Sequence, residues 1–549
     1  MTLLNLTVGE VLEKQVNKYP HQEAIVYPEL NLRKTYTEFN EMVNQAAKGF
    51  MALGIEKGEN VAIWADNKPE WVTSQFATGK MGAVLVTVNT SYQAQELEYL
   101  LKQSQSTTLI LAESYKGTSY IDILKKICPE FEHSKKGNLQ SAKLPFLKNI
   151  IVLSDDSYPN AYTWNEVIAK GEAVTDDELV ERKQTLDPQE VINMQYTSGT
   201  TGFPKGVMLT HYNIVNNGNQ IADCMKLTAD DRLCIPVPLF HCFGCVLGVL
   251  AAVSKGTTMV ILEQFEPEKV MKAVSDEQCT GLHGVPTMFI AELNHPNFSK
   301  YDFSHLRTGI MAGSPCPIEV MNDVMNKMGA TEITIAYGQT ESSPVITQTR
   351  TDDPAELRAT TVGKVHPNVE VKIVAPGTNE EQEPGVTGEL CTRGYHIMKG
   401  YYNNPEATDA VIDSDGWLHT GDLAVMDTNG YVQITGRMKD MIIRGGENIY
   451  PREIEEFLYQ HPAVLDVQVV GVPDEKYGEE VMAWIILKEG VTATEADIMS
   501  FCEGSIARHK IPKHIRFVDA YPATVSGKIQ KYKLRQYAAE ALQNQGGKQ

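Results

Sequence analysis

The feature that most constrains the fold is an alternation of helical and strand patterns between about residues 35 and 110. The helix candidate at 36–53 precedes the apolar run 61–64, and the helix candidate at 70–81 precedes the run 83–88. Alternation of this kind predicts a parallel sheet flanked by helices. The same alternation of helix and strand patterns recurs between residues 205 and 340, so we expect two α/β layers. Strand candidates in this second stretch are 232–236, 258–262 and 332–336.

After Ile346 the sequence changes to shorter strand candidates separated by turns, at 369–374, 388–394 and 430–436. This pattern predicts a small antiparallel or β-barrel-like subdomain. The polar stretches 130–143 and 349–361 are typical of surface loops.

The last hundred or so residues indicate a compact α+β unit. Pro451 suits the first turn of a helix, and alternating residues of LDVQVV and the apolar VMAWIIL predict two strands. We therefore predict an α/β protein with a large N-terminal domain, residues 1–438, and a small C-terminal domain, residues 439–549. The first contains the two α/β layers and the barrel-like subdomain.

Charge and cysteine usage exclude several classes of protein. The formal net charge of -21 argues against a nucleic-acid-binding surface, which needs a basic face. A local basic segment exists at 508–535, where eight basic side chains accompany one acidic residue, Asp519. Nine cysteines in 549 residues do not indicate a disulfide framework, and the lone Cys242-x-x-Cys245 lies in an apolar setting typical of a buried structural pair.

No targeting or membrane-spanning segment is expected. The N-terminus has no basic start and carries charges too early for a signal peptide. The most apolar later stretch, 246–253, is far shorter than a membrane span. We expect a cytoplasmic protein.

The sharpest local signal is the segment YTSGTTGFPKG, residues 196–206. Its glycines let backbone N–H groups approach phosphate oxygens, its hydroxyl groups add donors, and Lys205 adds a full charge. It is not a Walker A loop, because the G-x-x-x-x-G-K-[ST] pattern is absent and strand patterns flank it on both sides. The segment predicts a phosphate-binding loop. Its candidate contacts are Thr197, Ser198, Gly199, Thr200, Thr201, Gly202 and Lys205.

This loop and five further motifs, in this order along the chain, resemble the adenylate-forming superfamily, and most closely its fatty acyl-CoA ligase branch. The motifs are AGSP (312–315), YGQTE (337–341), GWLHTGD (416–422), GRMKD (436–440) and PATVSGKIQK (522–531). The resemblance covers about residues 8 to 540. It implies a ligase of fatty acid and lipid metabolism that uses ATP, Mg²⁺ and coenzyme A.

The resemblance also implies roles for individual residues. Lys528 is expected to be the catalytic lysine, Glu341 to hold Mg²⁺, and Asp422 to accept hydrogen bonds from the ribose hydroxyls. These roles suit the chemistry, because a cation between two anions and a carboxylate facing two hydroxyls are favourable. Further nucleotide contacts are expected from Gly313, Ser314, Pro315, Tyr337, Gly338, Thr340 and Arg437.

The acid is expected to bind in an apolar pocket formed by PLFHCFG (238–244) and HGVPTMF (283–289). The resemblance places His241 at a gating position, although a core histidine satisfied by its neighbours is an equal reading. Phe243, Val246, Val285 and Met288 are expected to contact the acyl chain. A medium-chain fatty acid is favoured, with short branched or oxo-acids also open.

In this superfamily the C-terminal domain rotates between two half-reactions. The first is attack of the carboxylate on the α-phosphate of Mg·ATP, and the second is attack of the coenzyme A thiol on the acyl-adenylate. The resemblance makes Lys439 the hinge and Gly445 and Gly446 the wall of the coenzyme A tunnel.

The alternative is an acyl or aryl adenylation enzyme that loads a carrier protein. The expected partners are a carboxylic acid, ATP and coenzyme A, without nucleic acid or an integral membrane segment, and a homodimer is left open.

Overall fold

Two large sheets form the N-terminal domain of the computed structural model, which describes residues 2–197, 204–314, 316–445, 447–474, 476–503, 505–524 and 527–546. The first sheet has nine strands, six of them consecutive and parallel, with antiparallel strands at both ends. In spatial order they are Lys364–Val365, Val345–Gln348, Glu332–Gly338, Thr308–Met311, Gly281–Gly284, Arg232–Ile235, Thr258–Ile261, Glu23–Tyr27 and Leu32–Thr35.

The second sheet has eight strands and is parallel except at one end. In spatial order they are Gly400–Tyr401, Lys205–Thr210, Val191–Thr197, Val84–Thr87, Asn60–Trp64, Thr108–Ala112, Asn149–Leu153 and Tyr162–Thr163. All five side chains of Asn60–Trp64 are buried, as expected for a parallel strand covered on both faces. The predicted pair of α/β layers is confirmed.

Helices cover both sheets, and local sequence sets their ends. Thr35 and Glu38 form a capping box that begins the helix Tyr36–Ala52, and Gly82 in the left-handed conformation ends Pro69–Met81. The helices of the N-terminal domain are Val8–Lys18, Tyr36–Ala52, Pro69–Met81, Ala94–Gln103, Tyr120–Ile127, Trp164–Gly171, Asp176–Gln184, His211–Cys224, Ala251–Lys255, Pro267–Asp276, Pro286–Leu293, Ile318–Lys327, Ala355–Thr360 and Pro405–Asp409, with a π-helix at Phe243–Leu250.

The carboxyl ends of the two sheets meet at Asn67. Its side-chain amide follows one sheet's strand Asn60–Trp64 and donates to the carbonyls of Val237 and Leu262, both at 3.0 Å, while its oxygen accepts from the Leu239 N–H at 2.8 Å. The three partners follow strands of the other sheet. Ligands of open α/β sheets bind beyond the carboxyl ends of strands, so this edge is where a site is expected.

A third, four-stranded antiparallel sheet occupies the position where the sequence predicted an antiparallel or barrel-like piece. Its strands, in order, are Val369–Val374, Gly388–Gly394, Leu418–Met426 and Val432–Arg437. The antiparallel prediction is confirmed, and the structure shows these strands as a four-stranded sheet. The stretch 349–361, which was expected to be a surface loop, contains the helix Ala355–Thr360, in which Arg358 is buried.

The C-terminal domain has its own sheet of five strands. They are Ile442–Arg444, Glu447–Ile449, Val464–Asp474, Gly478–Leu487 and His514–Phe517. Its helices are Pro451–Tyr459, Glu495–Cys502 and Lys531–Gly546. This confirms the small α+β domain and the helix that begins at Pro451. Among the described residues, no helix is both long and apolar enough to cross a membrane.

Candidate active site

The two strands that flank the predicted phosphate loop form an antiparallel pair. Val191–Thr197 pairs with Lys205–Thr210, and Thr197 lies opposite Lys205 at the point where the loop leaves the sheet. The prediction of a strand on each side is confirmed. The loop residues Ser198, Gly199, Thr200, Thr201 and Gly202 lie outside the residues that the structure describes.

Lys205 and Glu341 meet through one aromatic residue, Tyr401. The Lys205 ammonium lies 4.4 Å from the centre of the Tyr401 ring, and the Tyr401 hydroxyl donates to Glu341 Oε1 at 2.8 Å. The Met398 N–H donates to the Glu341 carbonyl at 2.9 Å. A cation over an aromatic face is attracted by the ring quadrupole. Tyr401 therefore holds the lysine of the loop and the predicted metal-binding carboxylate in one arrangement.

Sequence reasoning did not identify Tyr401. Its strand Gly400–Tyr401 is two residues long and pairs with the strand that begins at Lys205. The sequence feature that could have drawn attention to Tyr401 is the pair of tyrosines, Tyr401 and Tyr402, that follows Gly400. The aromatic ring is separated from Glu341 by 60 residues along the chain, so only the fold brings them together.

Thr340 follows the strand Glu332–Gly338, as the sequence predicted. Its buried hydroxyl lies 3.6 Å from the Cys242 sulfur. Cys242 and Cys245 are both buried free thiols, in agreement with a structural role for the C-x-x-C pair. Gly338 has no room for a side chain, because an added Cβ would lie 1.8 Å from the Pro344 carbonyl oxygen.

Asp422 is held by two other predicted nucleotide contacts. Its Oδ2 accepts a hydrogen bond from the Tyr337 hydroxyl at 2.9 Å, and its Oδ1 lies 3.3 Å from Arg437 Nε. Asp422 and Arg437 are direct cross-strand partners. The structure thus brings together three residues that the motifs placed far apart in sequence. The carboxylate is oriented by these two neighbours and is buried.

Lys528 lies on a short hairpin turn of the C-terminal domain. Ala523 and Ile529 form a β-bridge, and the Lys528 N–H donates to Thr524 Oγ1 at 3.1 Å. Gly527 takes a positive φ of 78°, which favours glycine. A Cβ at Gly527 would lie 2.6 Å from Val285 Cγ2, so the turn sits closely against the N-terminal domain.

The charges around Lys528 come from both domains. Desolvation in the cleft and the neighbouring charge of Arg437 together lower the pKa of Lys528 to about 8, with Asp422 acting in the opposite direction. The side chain keeps contact with solvent, so water screens part of this effect. Burial and the charge of Lys528 also lower the pKa of His241, to about 4. Lys528 is therefore electrostatically coupled both to the Asp422 group and to His241.

Four of the five predicted acyl-pocket residues belong to one buried hydrophobic cluster. Phe243 and Val246 belong to the π-helix, whereas Val285 and Met288 lie at the start of the helix Pro286–Leu293, and all four are buried. His241 Nδ1 accepts from the Phe243 N–H at 3.2 Å. This bond is consistent with either reading of His241. A π-helix at this place is notable, since single π turns are frequent at functional sites.

A cavity of about 280 Å³ lies between the domains next to this region. Met288 and Phe240 contribute to one wall, and Thr524 and Gly527 of the Lys528 turn cover it. Of the four apolar residues expected to contact the acyl chain, Met288 lines this cavity, whereas Phe243, Val246 and Val285 do not. Its other lining includes Asp66, Asn67, Thr90, Tyr115, Lys116, Pro236, Pro238, Glu263, Gln264, Phe265 and Thr287.

The remaining predicted residues are placed as follows. Gly313, with φ of 91°, and Ser314 follow the strand Thr308–Met311, while Pro315 lies outside the described residues. Lys439 lies in the one-turn helix Met438–Asp440 between the domains, and its pKa is lowered by burial and by Arg437. The Gly445 N–H donates to the Tyr477 carbonyl at 2.8 Å within the C-terminal domain, and Gly446 is not among the described residues.

Comparison with known proteins decides the family. Residues 12–402 match the AMP-binding enzyme family, and residues 453–528 match the AMP-binding enzyme C-terminal domain. The chain belongs to the AMP-binding enzyme family. The putative acyl-CoA synthetase YngI of Bacillus subtilis (strain 168) is 60% identical over 538 residues, which cover 98% of each protein. The medium-chain acyl-CoA ligase ACSF2, mitochondrial, of Bos taurus is 44% identical over 98% of this chain and 89% of that protein.

Solved structures of AMP-binding enzymes have the same fold. The anthranilate CoA ligase AuaEII in complex with anthranoyl-AMP aligns with a TM-score of 0.84 and 26% identity, over 99% of both chains. ATP-bound MatB from Rhodopseudomonas palustris aligns with a TM-score of 0.81 and 27% identity, over 97% of this chain and 99% of that one. These comparisons confirm the superfamily that the sequence motifs indicated.

Proposed function

We propose that this AMP-binding enzyme is an ATP-dependent acyl-CoA ligase for a medium-chain carboxylic acid. The observation that carries the proposal is the position of the Lys528 turn, which packs closely against Val285 and Thr287. Asp422, Arg437 and His241 are near enough to Lys528 for their charges to be coupled to it. A single movable cation thus lies between the residues expected to bind the nucleotide and those expected to bind the acid.

In the first half-reaction a carboxylate approaches the anionic triphosphate. Lys528 reduces the repulsion between them and stabilises the charge that develops as pyrophosphate leaves. An ion contact at about 4 Å is worth about 4 kcal/mol at an effective dielectric near 20, which is about a thousandfold in rate. Asp422, fixed by Tyr337 and Arg437, holds the ribose, and the loop with Lys205 holds the phosphates.

Glu341 is the residue that would hold Mg²⁺. Magnesium prefers oxygen ligands and keeps several waters, so one carboxylate together with ATP phosphates is an adequate site. The carboxylate accepts a hydrogen bond from the hydroxyl of Tyr401 through Oε1, and its oxygen chemistry fits the ion. When bound, the ion would offset the charge of the triphosphate. Tyr401 would then orient the metal-binding carboxylate relative to Lys205.

The apolar residues next to Lys528 support a hydrocarbon chain as the substrate tail. Phe243, Val246, Val285 and Met288 belong to one buried hydrophobic cluster. The similarity to a relative named medium-chain acyl-CoA ligase supports an acid of intermediate length.

The second half-reaction requires the thiol to reach the acyl-adenylate. We propose that the C-terminal domain, residues 439–549, rotates about Lys439, withdraws Lys528 and brings in Gly445 and Gly446 as the wall of the coenzyme A tunnel. In the present arrangement the Lys528 turn lies against Val285 and Thr287, which is the arrangement needed for the first half-reaction.

The test separates the two half-reactions with purified full-length protein. A panel of straight-chain acids of increasing length, with ATP and Mg²⁺, should give acid-dependent pyrophosphate exchange without coenzyme A and AMP release only with it. Maximal turnover is expected at intermediate chain length. Exchange without any coenzyme A-dependent product would instead indicate an enzyme that loads a carrier protein.

Lys528→Ala should lose acid-dependent exchange by about a thousandfold yet still convert a supplied acyl-adenylate to the thioester. Lys533→Ala, another lysine of the same basic segment, is the matched control and should retain both activities. Equal loss of both half-reactions in Lys528→Ala would contradict the proposed division of labour.

A further inference from the structure

A cluster of one cysteine, one histidine and one glutamate lies in the four-stranded sheet, outside the residues used above. The Nδ1 atom of His419 lies 3.0 Å from Glu389 Oε2 and 3.4 Å from the Cys391 sulfur. The three candidate ligand atoms all lie within 4.8 Å of one another. Glu389 and Cys391 are buried, and His419 is partly exposed, so the cluster has one side open to solvent.

The sheet assembles this cluster by a local irregularity. Cys391 and His419 are direct cross-strand partners, and Glu389 lies two residues before Cys391, on the same face. The register shifts between these pairs, because Glu389 is opposite Leu423, four residues after His419. The extra residues form a bulge that contains Gly421, whose φ is 69°. Bulges of this kind re-aim side chains next to functional sites.

The other nitrogen of His419 faces a second carboxylate. His419 Nε2 lies 3.7 Å from Asp413 Oδ2. Histidines that bind metals usually donate their second ring N–H to a carboxylate, which fixes the tautomer and orientation. Here Asp413 lies just beyond hydrogen-bond distance of Nε2, while Nδ1 faces the glutamate and the thiol.

We propose that Glu389, Cys391 and His419 form a binding site for a borderline transition-metal ion, Zn²⁺ being the expected occupant. Thiolate, imidazole and carboxylate are the ligand types that zinc takes, at bond lengths of about 2.0 to 2.3 Å. In a tetrahedral site such ligands lie about 3.3 to 3.8 Å apart, so the two separations from His419 Nδ1, 3.0 and 3.4 Å, need only small shifts. A fourth position, on the open side of His419, is left for water.

The proton balance of binding is simple. The Cys391 thiol loses its proton as the sulfur–metal bond forms, and the histidine proton moves from Nδ1 to Nε2, towards Asp413. One proton is therefore released per ion bound. A cysteine is mostly the neutral thiol near neutral pH, so protons compete with the metal for the sulfur.

The site is distinct from the magnesium site expected at Glu341. Mg²⁺ demands oxygen ligands in near-octahedral geometry and binds thiolates poorly. An ion in this cluster would instead be coupled to Asp422, because the Gly421 N–H, next to Asp422, donates to Glu389 Oε1 at 3.0 Å. Occupancy therefore acts on the bulge that presents the nucleotide-binding carboxylate.

The experiment titrates Co²⁺, as a spectroscopic substitute for Zn²⁺, into the full-length protein in excess Mg²⁺. We expect one Co²⁺ per chain with a thiolate-to-cobalt charge-transfer band, its displacement by Zn²⁺, and release of about one proton per ion. Cys391→Ala should abolish the band, and His419→Gln should weaken Co²⁺ binding at least about tenfold. Cys502→Ala, another buried thiol of the described chain, is the control and should bind as the native protein does.

The proposal is overturned if the native protein shows no thiolate-to-cobalt band, or if Cys391→Ala retains it unchanged. It is also overturned if His419→Gln, with native circular dichroism, keeps full Co²⁺ affinity. Should Cys391→Ala fail to fold, His419→Gln alone decides between these outcomes.

Discussion

At the scale of single residues, the motifs identified side chains that the structure brings together, but not the contacts that join them. Lys528, Asp422, Arg437 and Tyr337 come from four separate motifs and form one group around the cleft. The bond from Tyr337 to Asp422 spans 85 residues. A sequence motif reports which residue type occupies a position, whereas the partner of that residue depends on the packing of distant strands.

The basic segment 508–535 also shows that sequence gives the type of a residue but not its partner. It was interpreted as a local cationic patch, but four of its eight basic side chains form ion pairs within the C-terminal domain. These pairs are Lys510 with Glu453, Lys513 with Asp474, Lys531 with Glu455 and Arg535 with Asp440. No ion pair of Lys528 is found among the described residues. Half of the predicted patch is therefore neutralised by acidic partners, which the sequence pattern did not reveal.

The lowered pKa of Lys528 predicts a pH dependence. Below pH about 8 the side chain is the ammonium ion that the proposed mechanism requires, and above it the neutral amine predominates. The kcat/KM of adenylate formation, which reports groups of the free enzyme, should therefore fall about tenfold per pH unit above about pH 8. Acid-dependent pyrophosphate exchange across this range measures it.

Lys528→Arg provides the control for this prediction. Arginine stays charged throughout the accessible range, so the alkaline decline should disappear even if the absolute rate is lower. An alkaline decline of the same midpoint in Lys528→Arg would assign the titration to another group.

Tyr401 should matter through its hydroxyl as well as its ring. Tyr401→Phe retains the aromatic face below Lys205 but removes the hydrogen bond to Glu341. Since a hydrogen bond to a charged group contributes about 1.5 to 3 kcal/mol, adenylate formation should slow by about ten- to a hundredfold. Tyr402→Phe removes a comparable bond to Gln105, away from the site, and should have little effect on the same exchange assay.

At the scale of helices and strands, most of the strands that the sequence predicted have limits within one or two residues of the observed ones, whereas others, such as Thr108–Ala112 and Asn149–Leu153, were not predicted. The strands Val369–Val374 and Gly388–Gly394 have the predicted limits, because short antiparallel strands between turns have clear boundaries. The helix Ala355–Thr360 was missed. It has six residues and no side-chain N-cap, and Arg358 anchors it by donating to the Ile333 carbonyl at 2.9 Å, a contact that no local pattern reveals.

The one-turn helix Met438–Asp440 is the element on which the proposed rotation depends. Proline fixes φ near the value of a helical residue, so Lys439→Pro should be compatible with the present arrangement but should prevent rotation about this position. We expect pyrophosphate exchange to persist while thioester formation from acyl-adenylate slows at least about tenfold. Lys439→Ala removes the charge without restricting φ and should retain both steps. Equal slowing of both steps in Lys439→Pro would argue against a hinge here.

At the scale of the whole molecule, the helix Pro451–Tyr459 of the C-terminal domain contacts the N-terminal domain. Arg452 donates to the Ile434 carbonyl at 3.1 Å, and the Glu456 carboxylate lies near the backbone N–H of Ile318, where the helix Ile318–Lys327 begins. A carboxylate at a helix N-terminus is favourable, although burial here raises the pKa of Glu456. These two contacts hold the domains in the arrangement in which the Lys528 turn reaches Val285.

Removing the contacts of Arg452 and Glu456 should therefore destabilise the present arrangement of the two domains. In the double variant Arg452→Met with Glu456→Gln, the present arrangement loses about 1 kcal/mol per contact, so adenylate formation should fall several-fold or more. Conversion of a supplied acyl-adenylate to thioester should be unchanged or faster, because that step needs the other arrangement. Glu453→Gln on the same helix breaks only the pair with Lys510 and should leave the ratio of the two rates unaltered. If the double variant slowed both half-reactions alike, these contacts would stabilise the fold and not the domain arrangement.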